Sequence, residues 1–250
     1  MFRGLTTLFL LATAFTGSAQ LGVGFRAGIT WANMTFPDVD DDGYGDLNWE
    51  TTPFKAPTAA IMIDLPIRGR FSLLTELAYQ QRGYEHKWSN GPMGNDLTER
   101  LVLDYIDLDL LCKFRIGSSH VRPHLLAGPV FGRMLGARML YSNDEGSFAN
   151  ANGFVLAPDE IGMQRWNFGI CGGAGFNFTI GRSSLIMEGR YQYGLSTIWN
   201  GILLTDLNGV TIGELNGFDR SWSFCIGWGF RLNPNADSTY PASAAPPGNQ

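Results

Sequence analysis

Charge is the first thing this chain has little of. Only 16% of its 250 residues are charged, and the formal net charge is −5. A nucleic-acid-binding surface needs a basic stripe, and this balance excludes one. Cysteine is also scarce. Cys112, Cys171 and Cys225 share no paired or metal-type spacing, and an odd count supplies no disulfide framework. The one alternative to three free thiols is a Cys171–Cys225 bridge across an interior that both residues face. Beyond the first 19 residues no apolar run reaches the roughly 18 residues that a membrane helix requires.

The two ends differ from the middle. Residues 1–19 have the layout of a signal peptide: Arg3, an apolar run from Leu5 to Phe15, and Gly17-Ser18-Ala19 before cleavage at Gln20. No Cys stands at that point to take a lipid anchor. Residues 233–250 turn to Pro, Ala, Ser and Gly, the composition of a flexible tail. The remaining segment, 20–232, is the expected folded domain.

Glycine and aromatics are abundant, at 32 residues and 13%. They are ordered by a two-residue period. Trp166, Phe168, Ile170, Ala174, Phe176, Phe178 and Ile180 alternate with Asn167, Gly169, Cys171, Gly173, Gly175, Asn177 and Thr179. After Gly181-Arg182-Ser183 the period resumes, with Leu185, Met187, Tyr191, Tyr193 and Leu195 opposite Ile186, Glu188, Arg190 and Gln192. Large apolar groups fill one face; glycines and charges share the other. A dry core does not accept that second face. An inverted barrel, apolar outside and polar inside, does.

The same period predicts strands at about 22–34, 58–67, 71–84, 101–116, 121–140, 166–180, 184–195 and 222–232. Only the fifth is ambiguous in phase: Pro123, Leu125, Ala127, Pro129 and Phe131 compete with Leu126, Val130 and Met134 for the outer face. The connections alternate long and short, with the last long one at 196–219. Eight strands with this rhythm describe an all-β fold, an eight-stranded antiparallel up-and-down transmembrane β-barrel in the cell outer membrane. Its long loops lie outside and its tight turns in the periplasm. Trp31, Trp166, Tyr193, Trp222 and Trp228 are expected near the edges of the apolar band.

Ten charged residues fall on the inward phase: Arg26, Asp64, Glu76, Arg82, Asp107, Asp109, Lys113, Arg115, Glu188 and Arg190. An eight-stranded barrel is just wide enough for side chains to fill it. These charges are therefore expected to pair as a lumen plug, with a small polar conduit or pocket as the alternative.

Several ordered pieces resemble the PorT-type outer-membrane β-barrel family of Gram-negative bacteria. They are Gly24-Phe25-Arg26-Ala27-Gly28-Ile29 with Asn33, and Glu76-Leu77-Ala78-Tyr79 with Arg82-Gly83. Asp104-Tyr105-Ile106-Asp107-Leu108 through Lys113-Phe114 follows, then Pro123-His124-Leu125-Leu126-Ala127-Gly128-Pro129. Gly173-Ala174-Gly175 with Glu188-Gly189-Arg190-Tyr191-Gln192-Tyr193-Gly194-Leu195 completes the set. Asp109 stands where the family usually has proline. The resemblance spans about 22–232 and implies fold and location. One relative takes part in protein secretion, a role that fold alone does not transfer.

The first long loop carries Asp38, Asp40, Asp42, Gly43 and Asp46 at the spacing that opens a calcium loop. The pattern breaks at Trp49, where the bidentate acid belongs, so Ca2+ binding and a bare acidic loop are both open. Catalysis has little support. His120 and His124 read as periplasmic, and His86 as part of an outer loop near Ser89 and Asp96; no nucleophile motif accompanies them. The expected protein is a non-enzymatic monomer surrounded by outer-membrane lipid, without nucleic acid, with secretion or envelope proteins as partners. The alternatives are a secretion-system accessory or narrow channel, and a soluble secreted ligand-binding barrel.

Overall fold

The computed structural model describes residues 21–36, 51–88, 97–117, 120–142, 152–158, 162–199, 202–205 and 211–232. Eight long strands dominate: β1 (Gly22–Thr35), β2 (Phe54–Arg68), β3 (Phe71–Trp88), β4 (Leu97–Arg115), β5 (Val121–Ser142), β6 (Trp166–Ile180), β7 (Ser183–Gly194) and β8 (Phe218–Arg231). Each pairs antiparallel with the next, and β1 pairs β8 from Gly22↔Arg231 to Thr35↔Phe218. The sheet therefore closes and has no free edge, which is what a lipid surrounding demands of strands.

The turns at one end are tight. Gly69 (φ +58°) follows β2 and Gly181 (φ +60°) follows β6, each opening a two-residue turn. A positive φ at the first central position suits a hairpin turn matched to the strands' twist. Both ends of the described barrel domain meet at this same end, where Leu232 N donates to Leu21 O at 2.9 Å.

The alternation is inverted relative to a soluble barrel. Phe25, Ile29, Ile61, Ile63, Leu77, Leu108, Phe176, Phe224 and Ile226 are exposed, while Arg26, Glu76, Asp109, Lys113, Glu188 and Arg190 are buried. Such a belt is stable only against lipid, so the soluble-barrel alternative is set aside. Strand β5 adopts one phase throughout its lower part. Leu125, Ala127 and Phe131 face out; His124, Leu126, Val130 and Met134 face in.

The strands run further on the long-loop side than their sequence pattern suggests. β2 begins at Phe54, β4 at Leu97 and β8 at Phe218, and β3 extends to Trp88. A membrane is crossed by about 9–11 strand residues, so β3, β4 and β5 project beyond it. The outward face marks the boundary. Tyr79 Oη donates to Asp104 Oδ1 at 2.6 Å, Gln81 Nε2 donates to the same oxygen at 2.8 Å, and Arg138 pairs with Asp104 at 3.2 Å. The long connections also hold short strands where the pattern shows none. Thr51–Thr52 pairs β3, Asn152–Leu156 pairs β5, and Ile202–Thr205 pairs Thr211–Leu215. Unpaired backbone at the open ends is satisfied by continuing the ladders, which side-chain alternation does not report.

Candidate functional site

The barrel interior is built by the inward phase of every strand. β1 supplies Arg26, β2 Asp64, β3 Glu76, Gln80 and Arg82, and β4 Asp107, Asp109, Lys113 and Arg115. β5 supplies His124, β6 Asn167, β7 Glu188 and Arg190, and β8 Asp219, Ser221 and Cys225. All ten charged residues expected inside are brought to this space.

Glu76 is the centre. Arg26 Nε donates to its Oε2 at 2.9 Å, and Arg190 spans both oxygens, Nη1 to Oε2 at 2.7 Å and Nη2 to Oε1 at 2.8 Å. The same Arg190 donates to Glu188 Oε2 from Nε at 2.9 Å and also through Nη2. Asp109 sits directly across from Glu76 on β4 and stands 3.8 Å from both Arg26 and Arg190. Two arginines are thus shared among three carboxylates, and the five residues come from four strands.

Below this cluster, toward the tight turns, Lys113 Nζ lies 3.7 Å from Glu188 and 3.8 Å from Asp64, and Arg115 pairs with Asp64 at 2.7 Å. Above it, Arg82 donates to Asp107 at 2.5 Å and to Asn167 at 3.0 Å and approaches Asp219 at 3.6 Å. Its guanidinium lies over the Tyr105 ring, 4.5 Å from the centroid. An apolar layer of Met62, Leu74, Leu111, Leu126, Val130, Cys171 and Ile186 shares the interior with these ion pairs.

Glycine makes room for these long side chains. A Cβ at Gly175 would lie 2.7 Å from Glu188 Cγ and 3.0 Å from the His124 ring; one at Gly132 would lie 2.6 Å from Asp107 Oδ1. The glycine-rich inward face is the complement of the charges opposite it.

A second element covers the outer end. Met163, Ile198 and Trp199, from the connections before β6 and after β7, are buried against Met34, Leu103, Tyr105 and Met134. Backbone bonds fix them: Gln164 N donates to Ile198 O at 2.7 Å, and Ile198 N to Gly217 O at 2.8 Å. Phe36 packs on both Tyr84 and Trp199, with ring centroids 5.5 and 5.6 Å away. Tyr84 lies above the membrane band; burial pushes its phenol above the ordinary range, and the neighbouring Glu99 carboxylate pushes the same way.

The structure places four further residues of the sequence reading, one of them as a correction. His124 lies at the periplasmic end of β5, as its sequence position implies, and is buried inside the barrel, with Nε2 2.9 Å from Glu188 Oε1, because β5 takes the phase that turns it inward. Asp219 belongs to β8 rather than to a loop, and it is fully buried. Cys171 and Cys225 are free thiols, as the main sequence reading has them, and the alternative bridge does not form; Arg26 Nη1 donates to Cys225 Sγ at 3.0 Å. His86 lies buried within β3, while Ser89 and Asp96 lie outside the described residues. So do Asp38, Asp40, Asp42 and Asp46, and among the described residues no group of acids, histidines or cysteines is arranged to hold a metal ion.

Residues 15–200 match the family model described as an outer membrane protein beta-barrel domain. The fold is similar to the crystal structure of Neisserial surface protein A, at 14% identity over 85% of this chain and 97% of that one, TM-score 0.44. It is similar to OprG from Pseudomonas aeruginosa, at 13% identity over 87% and 98%, TM-score 0.47. A third similar structure is Ail of Yersinia pestis in complex with the heparin analogue sucrose octasulfate, at 13% identity over 84% and 99%, TM-score 0.37. No curated protein matches the chain.

Proposed function

The chain belongs to the outer membrane protein β-barrel domain family, and from that premise we propose that it is a non-enzymatic outer-membrane barrel whose lumen is plugged. The observation that carries this is the ion-pair cluster on Glu76. It joins β1, β3, β4 and β7 across the interior at separations of 2.7–3.8 Å. A conduit of this diameter cannot pass solutes while its side chains bridge opposite walls. The apolar cap of Met163, Ile198 and Trp199 supports the same reading, since a hydrated path would have to cross it.

With its interior occupied, the protein acts through its outer surface: strands that project beyond the membrane, the connections they carry, and the belt that meets lipid. The family-level placement is coarser than the PorT type; the ordered motifs from Gly24 to Leu195 support that finer assignment. Liposome swelling tests the proposal. Purified barrel reconstituted into liposomes should leave them impermeable to arabinose. Swelling in proportion to the protein added would replace the plug with a pore.

A further inference from the structure

The outer wall of the barrel carries a cationic, aromatic cleft at the upper edge of the apolar belt. Strand register assembles it from four strands. Lys55, Trp31, Trp222 and Tyr191 form one continuous outward row across β2, β1, β8 and β7. One step further from the periplasm, Asn33 stands opposite Arg220, which stands opposite Tyr193. An open cleft of about 450 Å³ lies among Trp31, Asn33, Pro53, Tyr191, Arg220 and Trp222.

The pieces have distinct chemistry. The Arg220 guanidinium is stacked on Tyr193 at 3.5 Å from the ring centroid. Nη1 is held by Gly194 O at 2.8 Å and Asp219 O at 2.7 Å. A guanidinium braced in this way keeps its remaining N–H groups as a preorganised fork, the geometry that suits phosphate oxygens. The Asn33 side-chain oxygen is buried without a hydrogen-bond partner among the described residues, an acceptor suited to a headgroup hydroxyl. Trp222 and Tyr191 are packed at 4.6 Å, and below them the wall continues into exposed Ile29 and Phe224. Lys55 is exposed at the side of the row.

From this arrangement we infer that the cleft binds the phosphorylated headgroup of an outer-leaflet glycolipid, with its acyl chains lying along the belt beneath. Charge complementarity selects the headgroup. Aromatic walls opening onto an exposed apolar surface select a lipid over a free anion, which gains nothing from that surface. The inference rests on the barrel's place in the outer membrane and not on the plug.

Native mass spectrometry of the full-length barrel in detergent tests it. The probes are bisphosphorylated lipid A and the same lipid stripped of both phosphates. The wild type should retain the phosphorylated form selectively. Lys55→Gln/Arg220→Gln should weaken that binding about tenfold, the scale of losing a hydrogen bond to a charged group. Arg68→Gln, at the periplasmic turn, should leave it unchanged. Heat-modifiable migration checks that the variants fold. Lys55→Gln alone, a change on an exposed side chain, gives a partial loss of binding if the double variant does not fold. Equal retention of both lipids, equal retention by wild type and variant, or displacement of the lipid by millimolar inorganic phosphate would each overturn the inference.

Discussion

Arg190 on β7 and Glu76 on β3 meet inside the barrel through two parallel hydrogen bonds, at 2.7 and 2.8 Å. Neither strand neighbours the other in the sheet, so the pair is a strut across the lumen. Bidentate arginine–carboxylate geometry is directional as well as strong, and it fixes both walls at one separation.

Removing one end of the strut should cost more than removing a surface pair. Glu76→Gln leaves Arg26 and Arg190 buried with one carboxylate fewer. We expect a loss of about 3–5 kcal/mol, the range for a broken buried pair. Urea unfolding in micelles, followed by heat-modifiable migration, measures it. A loss below about 1 kcal/mol, the surface value, would show that water already screens the cluster.

The glycines opposite the charges make a second prediction. Gly175→Ala places a methyl 2.3 Å from Met187 O and 2.7 Å from Glu188 Cγ. Backbone cannot yield as a side chain can, so destabilisation of about 1–3 kcal/mol is expected from overpacking. An alanine accepted without cost would mean the two strands are further apart than described.

On the outer face the expected sign follows the lipid. Ile226 is half exposed within the belt, and Ile226→Arg should cost about 2–4 kcal/mol in a bilayer. Ile226→Leu should be near neutral. Unfolding in lipid vesicles separates the two; equal stabilities would place this strand outside the hydrocarbon.

Gly217 is the seat of the cap. A Cβ there would lie 2.5 Å from the Trp199 ring and 2.9 Å from Met34 Cε. Gly217→Val should therefore lift Trp199 from the mouth and raise its hydroxyl-radical labelling severalfold, with the strands intact. Unchanged labelling would show that the cap does not depend on this contact.

The two-residue period made the β6–β7 hairpin legible, because Gly181-Arg182 turns it and each face has one character. The ten inward charges were legible for the same reason. The phase of β5 was not. Leu126 and Val130 belong to an apolar layer inside the barrel, and an apolar residue reads alike whether it meets lipid or lumen. His124 shares the inward phase of that strand, at its periplasmic end. Asp219 was hidden because the upper part of β8, Phe218-Asp219-Arg220-Ser221, is polar enough to read as loop. The cap was invisible: Met163, Ile198 and Trp199 stand in connections, where no period marks an inward side chain.

Single-channel recording in a planar bilayer tests the plug most directly. The wild type should show no steady conductance, and Glu76→Gln/Gly217→Val, which weakens strut and cap together, should show resolved openings. Steady open events from the wild type, unchanged in the double variant, would contradict a sealed lumen.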